Sequence, residues 1–443
     1  MDGLLQHLRS TSEGYKFERT ELAPGVTLHV QPSDRFKEVT FKLYELNPLD
    51  EWTSERALIP MVLRCGCQAY PTRQDVAVRL QSLYGSTVNV SAVKFGHVHM
   101  QKYELSCLSS RYLDGTNNLP ESAVSLLCDI VTDPVTEQQE NNGGSGGGHF
   151  DPEYVEQQRK QLLDLIDARK EDQRSYAVHR CIKHLYMDDP YRRSRYGDRD
   201  RVQELTSQPL YDRYRTDLSS SRVDLVAVGD FDTDSLQGTL SEGFVDRIPD
   251  REPVELETVS TPSPGGGVRQ ITEPGEGDQS WLIMGYQTPI VMGHPEMYVL
   301  SMMAGLFGGF PHSKLHRQVR EEKGLAYDVQ ASLKRSVGLL LVTAGIESSN
   351  REKTVDAIKA CRDDLVSGNF SEQELEMTRR KLIDQLVDLE DSPSQKADSY
   401  HNRVLAGNVE KLQDIAEKVM QVDPEQIQES AEELSLEIEY CLE

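Results

Sequence analysis

Two homologous α+β domains, each a sheet with helices packed on one face, are what this sequence predicts. The prediction rests on length, an internal repeat, and a boundary rich in proline and glycine. At 443 residues the chain exceeds what one core ordinarily holds, and a hydrophobic content of 37% is enough to pack two. Phe150-x4-Val155-Glu156-x2-Arg159-Lys160-x-Leu162-Leu163-Asp164 recurs as Phe370-x4-Leu375-Glu376-x2-Arg379-Arg380-x-Leu382-Ile383-Asp384. Val155, Leu162, Leu163 and Ile166 share a helix face in the first copy, as Leu375, Leu382, Ile383 and Leu386 do in the second. Helix-like segments, Ser122 to Val131 and Lys353 to Val366, precede the two copies. Between Val245 and Gln279, Pro249, Pro253, Pro262, Pro264, Gly265 to Gly267, Pro274 and Gly275 interrupt any regular element. The expected division is therefore 1–248, a linker at 249–267, and 268–443.

Strand signals come first in each half. Val26 to Val30 and Val39 to Leu43 alternate apolar and polar residues, Val223 to Val228 closes the first half, and Trp281 to Met284 opens the second. Strands followed by helix pairs give the α+β arrangement. Asn141 to Gly148 is glycine-rich but lacks the preceding strand and the Gly-Lys-Ser/Thr ending of a phosphate loop, so it reads as a connector.

A formal net charge of −25 disfavours nucleic acid and anionic lipid as partners, because phosphates would be repelled. It is compatible with an acidic cavity that draws in basic peptides. The seven cysteines are odd in number and dispersed, which is no disulfide framework and points to a reducing compartment. Cys65-Gly66-Cys67 is the one close pair, too few thiolates for a metal site. The start, Met1-Asp2-Gly3-Leu4-Leu5, is acidic where a signal peptide is basic, and no apolar run approaches the ~20 residues of a membrane span. A cytoplasmic protein with no cofactor and no membrane association is the expectation.

The most informative stretch is Arg320-Glu321-Glu322-Lys323-Gly324-Leu325-Ala326-Tyr327, preceded by Gly308-Gly309 and a helical run from Ser313 to Val319. It resembles the second-domain signature of the pitrilysin/insulinase (M16) metallopeptidases. That resemblance implies two homologous domains of the LuxS/metallohydrolase-like type, with mainly antiparallel sheets. Members with full activity carry His-x-x-Glu-His in the first domain. The eleven histidines here nowhere form that motif or His-Glu-x-x-His. Aligned back from Gly66, the family's two histidines fall at Ala57 and Met61 and its glutamate base at Pro60, while its third ligand falls at Gln158 or very near it, where a register slip would bring in the carboxylate of Glu153 or Glu156. A catalytic zinc needs about three protein ligands, and one carboxylate does not supply them. His312 and His316, His97 and His99, and His179 and His184 have spacings that could pair them on a helix or strand, but none has a complete ligand set around it.

What the resemblance leaves is Arg320 and Tyr327, which in the family hydrogen-bond the peptide near the scissile bond, with Gly308 and Gly309 beside the substrate. A guanidinium and a phenol there would support an oxyanion. The alternative is structural, with Arg320 capping a helix end and Tyr327 packing a strand. Leu83-Tyr84-Gly85-Ser86, Pro71-Thr72 and Val228-Gly229-Asp230 further resemble a bacterial subgroup without the zinc motif, linked to aminopentanol modification of translation elongation factor P. By resemblance, the chain is not an enzyme alone. It is expected to pair with an M16 subunit that carries His-x-x-Glu-His and to act with it on a peptide or small protein. The second reading is a structural protein of the respiratory-complex core type, with no part in proteolysis.

Overall fold

In the computed structural model, residues 3–4, 8, 16–113, 118–138, 148–259, 267–275 and 279–443 are described. Asn141 to Gly147 of the connector and residues 260–266 of the linker lie outside them.

The apolar stretches at 26–30, 39–43, 223–228 and 281–284 form strands. The first sheet comprises β1 (Glu18–Ala23), β2 (Val26–Pro32), β3 (Glu38–Pro48), β4 (Thr87–Phe95), β5 (Val98–Leu108) and β6 (Arg222–Gly229), in the order β1-β2-β6-β3-β5-β4. The second comprises β7 (Arg269–Glu273), β8 (Ser280–Gln287), β9 (Ala326–Lys334), β10 (Leu339–Ile346) and β11 (Ser435–Leu442), in the order β9-β10-β8-β11-β7. Only β2 with β6 and β11 with β7 pair in parallel, so both sheets are mainly antiparallel. β6 and β10 are buried along nearly their whole length, as strands covered on both faces must be.

The repeat shows in matched helices. α1 (Thr53–Leu63) and α2 (Leu119–Thr132) cover one face of the first sheet, and α3 (Pro152–Glu171) and α4 (Gln173–Leu185) follow. In the second half α5 (Met297–Ala304) and α6 (Arg351–Val366) cover one sheet face, and α7 (Glu372–Asp391) and α8 (Pro393–Leu405) follow. α3 and α7 are each 20 residues long, and α4 and α8 each 13. Asp151 and Ser371 cap α3 and α7 by accepting hydrogen bonds from first-turn amides, and Asp172 and Ser392 cap α4 and α8 likewise.

Within each half α1 and α2, or α5 and α6, lie on one sheet face, as predicted. The opposite face is covered from the other half. Ala177, Cys181 and Ile182 of α4 pack on Trp281, Ile283, Leu341 and Tyr440 of the second sheet. Ala397, Tyr400 and Leu405 of α8 pack on Tyr44, Leu46, Met100 and Val228 of the first. Polar contacts fix both dockings. Lys42 Nζ lies 2.8 Å from Asp398, which also accepts from Tyr44 at 2.6 Å, and His401 Nε2 lies 3.0 Å from Asp224. On the other side Glu273 accepts from His184 at 2.8 Å and Tyr440 at 2.7 Å. Leu4 and Leu8 pack with the second half's core.

Candidate functional site

α1 carries the positions where the resemblance places the zinc motif, and α3 packs beside it. Ala57 and Pro60 point into the core, Met61 is half-buried, and Gln158 is buried on α3. A methyl, a pyrrolidine, a thioether and a carboxamide offer no anionic or imidazole donor set, so zinc does not fit here. Pro60 also removes an amide hydrogen from the helix interior and brings no basic group. Cys65 donates from Sγ to the Met61 carbonyl at 3.4 Å, and burial raises its thiol pKa, which keeps it protonated. Among the described residues no group of three or more His, Cys, Asp or Glu side chains is arranged to hold a metal ion.

The histidine pairs separate into ordinary roles. His97 lies in the turn before β5 rather than on the strand with His99, a correction to the shared-face reading, because Gly96 turns the chain there with φ +54°. It bonds Asp189 at 2.9 Å and Glu257 at 3.3 Å, while His99 is buried and bonds the Arg195 carbonyl at 2.9 Å. Burial lowers the pKa of His99 to about 4 and that of His179 to about 3. His312 bonds Thr378 at 2.8 Å and His316 bonds Arg320 at 2.9 Å, so each imidazole is engaged separately. His97 also lines a cavity of about 610 Å³ with Asp50, Glu51, Asp188, Asp189 and Glu257, which gives that space an acidic wall.

The second-half signature straddles a change of backbone state. Leu315–Glu322 is a π-helical run, with the Lys323 amide donating to the Gln318 carbonyl at 3.3 Å, a winding that often marks functional sites. Arg320 is exposed on it and holds His316 one turn back. Tyr327 is the extra residue of a β-bulge near the start of β9, since Ala326 faces Ile346 and Asp328 faces Gly345. A bulge re-aims its side chain. Here the ring goes over Gly345 and meets Trp281 edge-on at 6.3 Å, yet the residue stays 43% exposed. Burial, then Asp328, pushes the phenol up to about 12, so at neutral pH it is a hydrogen-bond donor.

Arg320 and Tyr327 do not hydrogen-bond each other, and both are exposed. Gly308 is closely packed: a Cβ there would stand 2.5 Å from Leu315 and 2.8 Å from Ala331. Gly309 is exposed. Arg174, unforeseen from sequence, completes the surroundings of Tyr327. It comes from α4 of the first half, pairs with Asp328 at 3.2 Å and lies over the Trp281 ring at 5.8 Å. Only the exchange of α4 brings it there, and no local signal announces that.

Residues 204–382 match the model of the peptidase M16 inactive domain. The chain is 28% identical over 421 residues to the probable inactive metalloprotease YmfF of Bacillus subtilis, covering 94% of this chain and 96% of that protein. The chain is thus similar to the M16 peptidases, over residues 204–382 to their inactive domain and over nearly its whole length to a probable inactive metalloprotease. Solved structures agree on the fold. A conserved protein from Enterococcus faecalis V583 superposes with a TM-score of 0.87 at 24% identity, covering 96% of this chain and 98% of that one. A peptidase M16 inactive domain from Pseudomonas fluorescens does so with a TM-score of 0.77 at 16% identity, covering 97% and 98%. No helix among the described residues is long and apolar enough to cross a membrane.

Proposed function

We propose that this protein is the non-catalytic subunit of a heterodimeric peptidase, supplying chamber wall together with Arg320 and Tyr327 to an M16 partner that carries His-x-x-Glu-His. The partner brings the metal and the general base, and the substrate is a peptide or small protein. The observation that carries this reading is an asymmetry between the two halves. At the positions where the resemblance places zinc ligands stand Ala57, Met61 and a buried Gln158, and at the general-base position stands Pro60, while Arg320 and the bulged Tyr327 are present and exposed. A bulged, outward tyrosine on an edge strand costs ladder hydrogen bonding, and a purely packing tyrosine would not need it.

The test is co-purification of the tagged protein with an M16 chain that contains His-x-x-Glu-His, followed by peptide turnover of the pair. Capture of such a partner, with turnover that falls when Arg320 or Tyr327 is changed, is the expected result. A stable pair whose turnover ignores both residues would replace this reading with a scaffold.

A further inference from the structure

α5, α7, α8 and the helix α9 (Leu412–Gln421) enclose a cavity of about 220 Å³ in the second half, well away from α1. Its wall is largely apolar, with Met297, Leu386, Leu389, Leu412, Ile415 and Val419 among its side chains. Two guanidinium groups interrupt that wall. Arg403, on α8, donates from Nη1 to Ser399 at 2.7 Å, and its Nε is buried without a partner. Arg335, in the turn between β9 and β10, is exposed; its carbonyl accepts from the Met292 amide at 2.7 Å, and its guanidinium has no hydrogen bond or ion pair with a described residue. Burial lowers Arg403 to about 10, which still leaves it cationic at neutral pH.

The one acid in the lining, Glu410, is neutralised by Lys418. The cavity is thus locally positive in a chain whose net charge is −25. An unmatched donor in an apolar enclosure is costly unless a ligand supplies the acceptor. A guanidinium fork matches a carboxylate better than it matches most other groups. Apolar walls with a few converging polar groups are the usual form of a small-molecule site.

We propose that this cavity binds a small monocarboxylate with an apolar chain, its carboxylate on Arg403 and Arg335 and its chain along Leu386, Leu412 and Ile415. Such a group could be an aliphatic acid or the acylated apolar amino acid at the end of a cleaved peptide. The full-length protein is titrated calorimetrically with octanoate, N-acetyl-leucine and octanol. Octanoate or N-acetyl-leucine is expected to bind at least about ten-fold more tightly than octanol, and whichever binds better identifies the source. Arg335→Gln and Arg403→Gln should each weaken the acid about ten-fold and leave octanol unchanged, with circular dichroism checking the fold. Arg335 is exposed at the mouth, so its variant keeps the test open if Arg403→Gln fails to fold. Absence of binding by both acids, equal binding of octanol, or indifference to Arg335→Gln would overturn the proposal.

Discussion

The ring of Tyr327 lies across Gly345, so close that a Cβ at Gly345 would stand 2.5 Å from its ring edge and hydroxyl. Glycine at this point of β10 is what allows the bulged tyrosine to lie over the neighbouring strand and meet Trp281. Gly345→Ala should therefore swing the phenol out while Arg320 stays in place. In a reconstituted pair its turnover should fall to the level of Tyr327→Ala, with complex formation intact. Wild-type turnover in Gly345→Ala would show that the position of the ring is irrelevant to the reaction.

Arg320→Ala and Tyr327→Phe each remove a donor without touching a core contact. Loss of a preorganised donor to developing charge typically costs ~10²–10³ in rate, and the loss should appear mainly in kcat. The double change should be less than additive if both groups serve one oxyanion. Arg320→Lys should rescue poorly, because an ammonium lacks the guanidinium fork. Melting temperatures recorded beside turnover separate this from helix capping, in which Arg320→Ala would lower stability and spare the rate.

Metal analysis of the purified protein should find no stoichiometric zinc. Ala57, Met61 and Gln158 supply no ligand set, and His312 and His316 are each held by other partners. About one zinc per chain, lost on changing either histidine, would contradict this.

Much of this architecture is legible in the sequence, because apolar periodicity and caps are local signals. The Phe150 and Phe370 repeat marks α3 and α7 as equivalent, and Val223 to Val228 and Trp281 to Met284 are strands as read. The reciprocal exchange of α4 and α8 is not legible. The same amphipathic pattern buries a helix on its own sheet or on another, and only tertiary packing chooses. For the same reason Arg174 beside Tyr327, and Arg335 and Arg403 on one cavity, could not be foreseen from spacing. The turn that removes His97 from the strand of His99 depended on Gly96, a residue whose positive φ the alternation of histidines conceals.

The docking of α8 should depend on Asp398. Lys42 is fully buried on the first sheet and has Asp398 at 2.8 Å, with Glu104 at 3.4 Å as a second partner. Asp398 is 37% exposed, and Glu104 and the Ser394 carbonyl also accept from Lys42, so its loss should cost less than the about 3–5 kcal/mol of a fully buried pair. Asp398→Asn should shift the urea midpoint accordingly, and hydrogen exchange should accelerate in α8 before the rest of the second half. A uniform change, or none, would mean that apolar contacts alone hold the helix.

Glu45 gives the fold a pH dependence of unusual sign. It is buried in β3, and burial, then the nearby Asp217, pushes its carboxyl up to about 7, although Ser221, Arg251 and Arg56 act in the opposite direction. Between its ordinary value of 4.5 and about 7, the folded state keeps a proton that the unfolded chain has released. Stability from this group is therefore full below about pH 4.5, declines as pH rises through the window, and levels off above it. At about 1.4 kcal/mol per pH unit, the loss is on the order of 3 kcal/mol. Asp224 works in a separate range. Burial opposes its ionisation, but His29, His401 and Arg222 hold its pKa well below the usual carboxylate value, so its contribution erodes only in strong acid. Glu45→Gln mimics the protonated form. Gln101, which donates to Glu45 at 2.8 Å, has its own carbonyl oxygen buried and unpaired, so an amide flip can accept from the new glutamine. Between pH 5 and pH 8 the urea midpoint of Glu45→Gln should rise relative to that of the wild type by this group's share, with the variant the more stable of the two at pH 8, while the opposite slope from buried His99 and His179 acts on both proteins alike. If the variant keeps the wild-type difference between those two pH values, the slope arises elsewhere and Glu45 is not the group that sets it.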